Sequence, residues 1–140
     1  MLFETILIMM GTLITLENMD HINDLKWNKR VLVIECDEDI DFSTKIKPFK
    51  SEFDERDFII IYINGRSSFI NDRKMSNYFT RSVLEKIKTF ESKSCFYLIG
   101  KDGQVKNAYS SLIEIERIFS DVDKMPMRKF EVLKRIKKKS

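Results

Sequence analysis

Two thiols, one imidazole and a run of carboxylates are the groups in this 140-residue chain whose types and spacing could do chemistry. Cys36 and Cys95 show no C-x-x-C spacing and are too few for a disulfide framework. A reactive thiol works as its thiolate, which a helix N-terminus or a nearby cation favours. Cys36 instead lies among Glu35, Asp37, Glu38, Asp39 and Asp41, and like charge disfavours an anion there. It is expected to be a quiet, half-buried thiol. His21 is the single histidine, so there is no imidazole pair for zinc, and no triad partners stand out around it. Asp37, Asp39 and Asp41 alternate as the first ligands of an EF-hand loop do, but Phe42 stands where that loop needs glycine and Pro48 where it needs glutamate. Two readings stay open for them: carboxylates that cap and solvate a loop before a helix, or a weak cation site.

These groups hang on elements that the hydrophobic pattern predicts. Val31-Leu32-Val33-Ile34 is a continuous aliphatic run of the kind found in covered central strands. Phe42, Ile46, Phe49 and Phe53 then recur at helical spacing with Ser43 as N-cap, and Pro48 either kinks that helix or marks its start near Lys47. Phe58 to Ile63 is a second buried strand stopped by Asn64-Gly65, and Arg66 to Lys74 reads as a polar loop. Met75, Phe79, Val83, Ile87 and Phe90 line one face of the next helix, a stripe that packs a core. Cys95 to Ile99 and Gln104 to Tyr109 form a hairpin across Asp102-Gly103, whose types supply the positive φ of a tight turn. Ser111 and Glu114 make a capping box for a last helix with Leu112, Ile115, Phe119 and Val122 on its apolar face, and Pro126 ends it.

The order βαβ, helix, hairpin, helix resembles the thioredoxin-like fold: α/β, with a four-stranded mixed sheet flanked by helices. In that arrangement Cys95 begins a strand antiparallel to the first, so Cys36 and Cys95 could be neighbours; a disulfide requires Cα atoms within about 7 Å. Thioredoxins carry two cysteines at the start of the helix after strand one, where this chain reads Ile40-Asp41-Phe42-Ser43. A peroxidatic cysteine belongs in the same first turn, three residues after a threonine, whereas Cys36 comes earlier and has Val33 at that offset.

Hydrophobic residues make up 43% of the chain, enough for one domain with a real core. A net charge of +3 is too small to imply nucleic acid or a membrane by itself, and the excess is local: Arg128, Lys129, Lys134, Arg135, Lys137, Lys138 and Lys139 stand against Glu131. That end is expected to be a solvated tail over 132–140. The run from Ile6 to Leu16 has the length of a signal-peptide core, yet Glu4 precedes it without lysine or arginine and no A-x-A site follows. It is too short to span a bilayer as a helix. Export to the periplasm or extracellular space, and packing on the domain in the cytoplasm, both stay open. Residues 1–23 are thus a lead-in, and 24–131 the domain.

Several short phrases point further. Trp27 and Arg30 before strand one, Glu55-Arg56-Asp57 before strand two, Leu98-Ile99-Gly100-Lys101-Asp102-Gly103, and Asp123-Lys124-Met125-Pro126-Met127-Arg128 together resemble the domain of unknown function 4174, also called the DUDES domain. The resemblance covers roughly Asp24 to Glu131. It implies a thioredoxin-like or peroxiredoxin-like fold, no established enzymatic activity and frequent export. Locally, Asp-Gly serves a turn, the two methionines can plug gaps beside the sheet, and Arg128 can pair with Asp121 or Asp123. The expected function is a non-catalytic binding or scaffolding module that takes a protein partner and no cofactor or nucleic acid, with membrane contact only through the N-terminal run. The alternatives are a thiol oxidoreductase using Cys36 and Cys95, and a cation-binding module using Asp37, Asp39 and Asp41.

Overall fold

The computed structural model describes residues 15–36, 41–90 and 94–139. Most of the N-terminal hydrophobic run, together with Asp37 and Asp39, lies outside the described residues. Six strands form one mixed sheet: β1 (Arg30–Ile34), β2 (Phe58–Asn64), β3 (Ser67–Ile70), β4 (Arg73–Lys74), β5 (Phe96–Ile99) and β6 (Val105–Tyr109), in spatial order β4-β3-β2-β1-β5-β6. β1 and β2 are parallel, with Arg30 beside Phe58 and Ile34 beside Tyr62, and every other pairing is antiparallel.

The sheet therefore has six strands where the sequence reading expects four. The difference lies in Arg66 to Lys74, read as a polar loop. Two tight turns build strands from it. Gly65 opens the first with φ +61°, and Asn71 and Asp72 form the second with φ +50° and +64°, so Ile70 pairs directly with Arg73. Positive φ at both centres gives a two-residue hairpin turn whose twist suits antiparallel strands.

Alternation along β1 places Leu32 and Ile34 on one face and Val31 and Val33 on the other, all buried. The first face packs against α1 (Phe42–Ile46), α2 (Lys50–Glu55) and α4 (Ile115–Asp123) through Phe42, Ile46, Phe53, Ile118 and Phe119. The second packs against α3 (Asn77–Lys88), through Phe79, Val83 and Ile87, and against the single turns Leu16–Asn18 and Ile22–Leu25. Covering both faces is what a hydrophobic central strand demands.

Three helix ends differ from expectation. Asp41, not Ser43, caps α1, because its carboxylate accepts the Ser43 N–H at 3.1 Å. Pro48 splits the stretch, separating α1 from α2 by the 3-10 turn Lys47–Phe49. Ser111 and Glu114 make no capping box: Glu114 is extended and α4 starts at Ile115, since Ile113 and Ile115 both turn into the core while Leu112 is 90% exposed. Pro126 starts a helix instead of ending one. It opens α5 (Pro126–Lys139), as proline suits a first helical position, and residues 132–139 continue that helix. Among the described residues no helix is long and apolar enough to cross a membrane.

Candidate functional site

The two ends of the sheet have different chemistry. At the end where β1 and β2 begin, charged side chains interlock. Arg30, 1% exposed, grips Glu131 with its two terminal guanidinium nitrogens at 3.1 and 3.0 Å and donates to the Arg56 carbonyl at 2.9 Å. Lys101 reaches the same Glu131 at 3.0 Å and Asp57 at 2.8 Å. Beside them Arg56 clamps Asp123 through two bonds of 3.0 Å, and buried Arg128 bonds Asp123 and Glu55 at 3.1 Å each. Burial works to raise the Glu131 carboxyl, but the hydrogen bonds and charges of Arg30 and Lys101 hold it below the ordinary range. Asp123 is held low in the same way, by Arg56 and Arg128. Arg30 Nε is buried without a partner, so the arrangement is not fully satisfied.

Backbone geometry prepares this clasp. Trp27 and Asp57 both hold positive φ, +71° and +55°, and the Trp27 N–H donates to the Lys101 carbonyl at 2.5 Å. In the β5–β6 hairpin Gly103 alone is left-handed, at φ +83°; Asp102 is not, contrary to the two-residue turn expected. The Gly103 N–H bonds the Gly100 carbonyl and the Gly100 N–H bonds the Gln104 carbonyl, a three-residue loop that relieves Asp102 of the strained position. Asp102 instead accepts from the Gln104 N–H and pairs with Lys106 at 2.6 Å. A Cβ on Gly100 would meet Lys106 at 2.8 Å and Asp102 at 3.1 Å, so that glycine admits the pair.

At the opposite end lies a cleft of about 450 Å³, walled by Ile34, Cys36, Phe42, Tyr62 and Phe69 with Asp41 and Asp72. Clefts at the carboxyl ends of parallel strands are where open α/β sheets take ligands. Cys36 and Cys95 are joined there as a disulfide, their Cα atoms 4.7 Å apart. The antiparallel pairing of β1 with β5 brings them together, and the Glu35 N–H bonds the Cys95 carbonyl at 2.8 Å. Asp41 is engaged within its own helix, accepting from the Ser43 N–H, the Ser43 hydroxyl and the Thr44 hydroxyl, and these bonds lower its carboxyl. Burial, then the charges of Asp41 and Asp72, push the Tyr62 hydroxyl up. The cleft is thus apolar in its walls and negative in its field.

The phrases that the clasp joins lie before β1, before β2, at the β5–β6 loop and after α4, and a family model matches the chain over residues 21–131. The chain belongs to this family, a domain of unknown function (DUF4174). No curated protein and no solved structure matches it.

In this DUF4174 chain the motif residues share one place. Arg30, Asp57, Lys101 and Glu131 bond directly to one another, and Glu55, Arg56, Asp123 and Arg128 form the adjoining half. Met125 packs at the edge of the core, whereas Met127 is 40% exposed and plugs no gap. Arg128 chooses Asp123 and Glu55; Asp121 goes instead to Tyr109, whose hydroxyl donates at 2.5 Å. His21 caps the turn Ile22–Leu25, with Nδ1 accepting the Asn23 N–H at 3.0 Å. Sequence reasoning missed Glu131, the centre of the clasp, and the cleft residues Tyr62, Phe69 and Asp72. The signal for the latter was Asn71-Asp72, two residues tolerant of positive φ directly after the apolar pair Phe69-Ile70.

Proposed function

We propose that this DUF4174 domain is a non-catalytic binding module on a thioredoxin-like scaffold, taking part of a protein partner in the cleft at the carboxyl ends of β1 and β2. The sheet order β2-β1-β5-β6 with β5 reversed supports the scaffold reading. One observation carries the function: the start of the helix after β1, where a reactive thiol gains its thiolate, holds Asp41, whose carboxylate already occupies the helix-terminal N–H of Ser43. The aromatic walls suit an apolar side chain, and the carboxylates of Asp41 and Asp72 favour one that neighbours lysine or arginine.

The thiol oxidoreductase reading keeps one specific support, that Cys36 lines the cleft while paired with Cys95. Insulin-reduction and peroxide-consumption assays on wild type and Cys36→Ser separate the two. The binding module turns over neither substrate faster than a simple thiol; turnover lost in Cys36→Ser, with the fold intact by circular dichroism, would establish the enzyme instead.

A further inference from the structure

We propose that helix α5, together with Trp27, is a docking face for an anionic lipid surface. The helix is held to the domain along one side: Arg128, Glu131 and Arg135 make its bonds to Glu55, Asp123, Arg30 and Lys101. At 100° per residue those three lie within an arc of about 60°. Phe130, Leu133 and Ile136 fall on the other side and are 68%, 64% and 60% exposed. A 14-residue helix is marginal in water on its own, so three bare apolar side chains beyond the clasp want a covering surface.

Charge selects that surface. The helix carries seven lysines and arginines against Glu131 alone, while the whole chain is only +3, so everything outside α5 is net acidic. Glu131 is spent on Arg30 and Lys101, and the exposed Lys129 and Lys134, beside the three apolar residues, set the sign of the outer face. A second copy would press two positive faces together. A groove-binding helix needs an apolar stripe at i, i+3 or i+4, and i+7, and here Lys137 stands at the last of these positions counted from Phe130. Apolar residues interleaved with lysines suit a headgroup boundary, where rings and aliphatic chains sink and lysine ammonium groups reach outward.

Trp27 adds an independent observation. The chain's single tryptophan is 61% exposed, on a residue whose φ of +71° is uncommon for a side chain of that size. Its backbone N–H is bonded to the Lys101 carbonyl, the Lys101 ammonium grips Glu131 of α5, and Lys26 sits 5.3 Å from the indole ring. An indole beside cations is the side chain favoured at a lipid–water boundary.

The experiment mixes the full chain with phosphatidylcholine vesicles and with vesicles containing 30% phosphatidylglycerol (about that fraction suffices for a charged surface), reading co-sedimentation and the emission of Trp27. Binding is expected to be at least about tenfold tighter to the anionic vesicles, to weaken with salt and to shift Trp27 emission to the blue. Phe130→Ser with Leu133→Ser, and separately Lys129→Glu with Lys134→Glu, should each weaken it by about tenfold or more while leaving circular dichroism unchanged. Equal affinity for neutral vesicles, no binding at all, or anionic binding that survives both helix variants overturns the proposal, the last outcome assigning attachment to the run Ile6 to Leu16. A dimer in sedimentation velocity that the serine variants dissolve, without lipid binding, also overturns it in favour of a second copy.

Discussion

Arg30 and Glu131, 101 positions apart in the chain, meet in a two-pronged ion pair of 3.0 and 3.1 Å with the arginine 1% exposed. One partner begins β1 and the other lies in α5, so the pair ties the first strand of the domain to its last helix. Removing one member of a buried pair strands the other. Glu131→Ala is therefore expected to destabilise the fold by about 3 kcal/mol in urea unfolding. Lys50→Ala, at a pair whose members are 78% and 60% exposed, should stay within about 0.5 kcal/mol. Replacing the pair together, Arg30→Met with Glu131→Leu, should cost less than Glu131→Ala alone. Equal effects of the buried and exposed single variants would show that the clasp holds nothing.

Acid should open the clasp. Glu131 and Asp123 are both held below their ordinary values of 4.5 and 3.8 by arginine and lysine partners. A carboxylate depressed on folding contributes stability that is fully present above its unfolded value and is lost as pH falls through its folded one. Thermal stability should thus be flat from neutrality down to about pH 5 and decline below it. Glu131→Gln should flatten that decline, and an unchanged acid slope in this variant would remove the clasp from the explanation.

How much of this was legible in the sequence varies by element. β1, β2 and α3 follow from runs and stripes whose burial leaves no choice of face, as Val31 to Ile34 and Phe79, Val83 and Ile87 show. Cys36 and Cys95 were legible as neighbours once β5 was placed against β1. β3 and β4 were not, because Phe69-Ile70 is too short an apolar run to mark a strand, Ser67, Ser68, Arg73 and Lys74 add nothing to it, and the pairing is dictated by Asn71-Asp72 and Gly65. Pro126 reads as a stop or as a start by the same ring, and the helix it opens is fixed by long-range pairs from Arg128 and Glu131 that no local window contains. The clasp was visible only as scattered phrases of unassigned purpose.

The disulfide changes what a cysteine variant should cost. Reading the thiols as separate, Cys36→Ser costs only packing; joined across 59 residues, the pair also restricts the unfolded chain. Loop closure of that length corresponds to about 4 kcal/mol in the chain-entropy treatment. Urea unfolding with and without reductant should show a loss of this order in wild type and none in Cys36→Ser with Cys95→Ser. Free thiols titrating in the unreduced native protein would remove the premise.

Calcium should leave the protein unmoved. Asp41 would have to surrender the Ser43 N–H and two hydroxyl donors before it could ligate a cation, and those bonds also begin α1. Ligating and capping therefore compete for the same oxygens. The expectation is a melting temperature that does not rise with millimolar calcium, and an Asp41→Ala variant that melts lower by the same interval with or without the ion. A calcium-dependent rise abolished by Asp41→Ala would promote the acidic loop to a site and displace the cap as the purpose of this carboxylate.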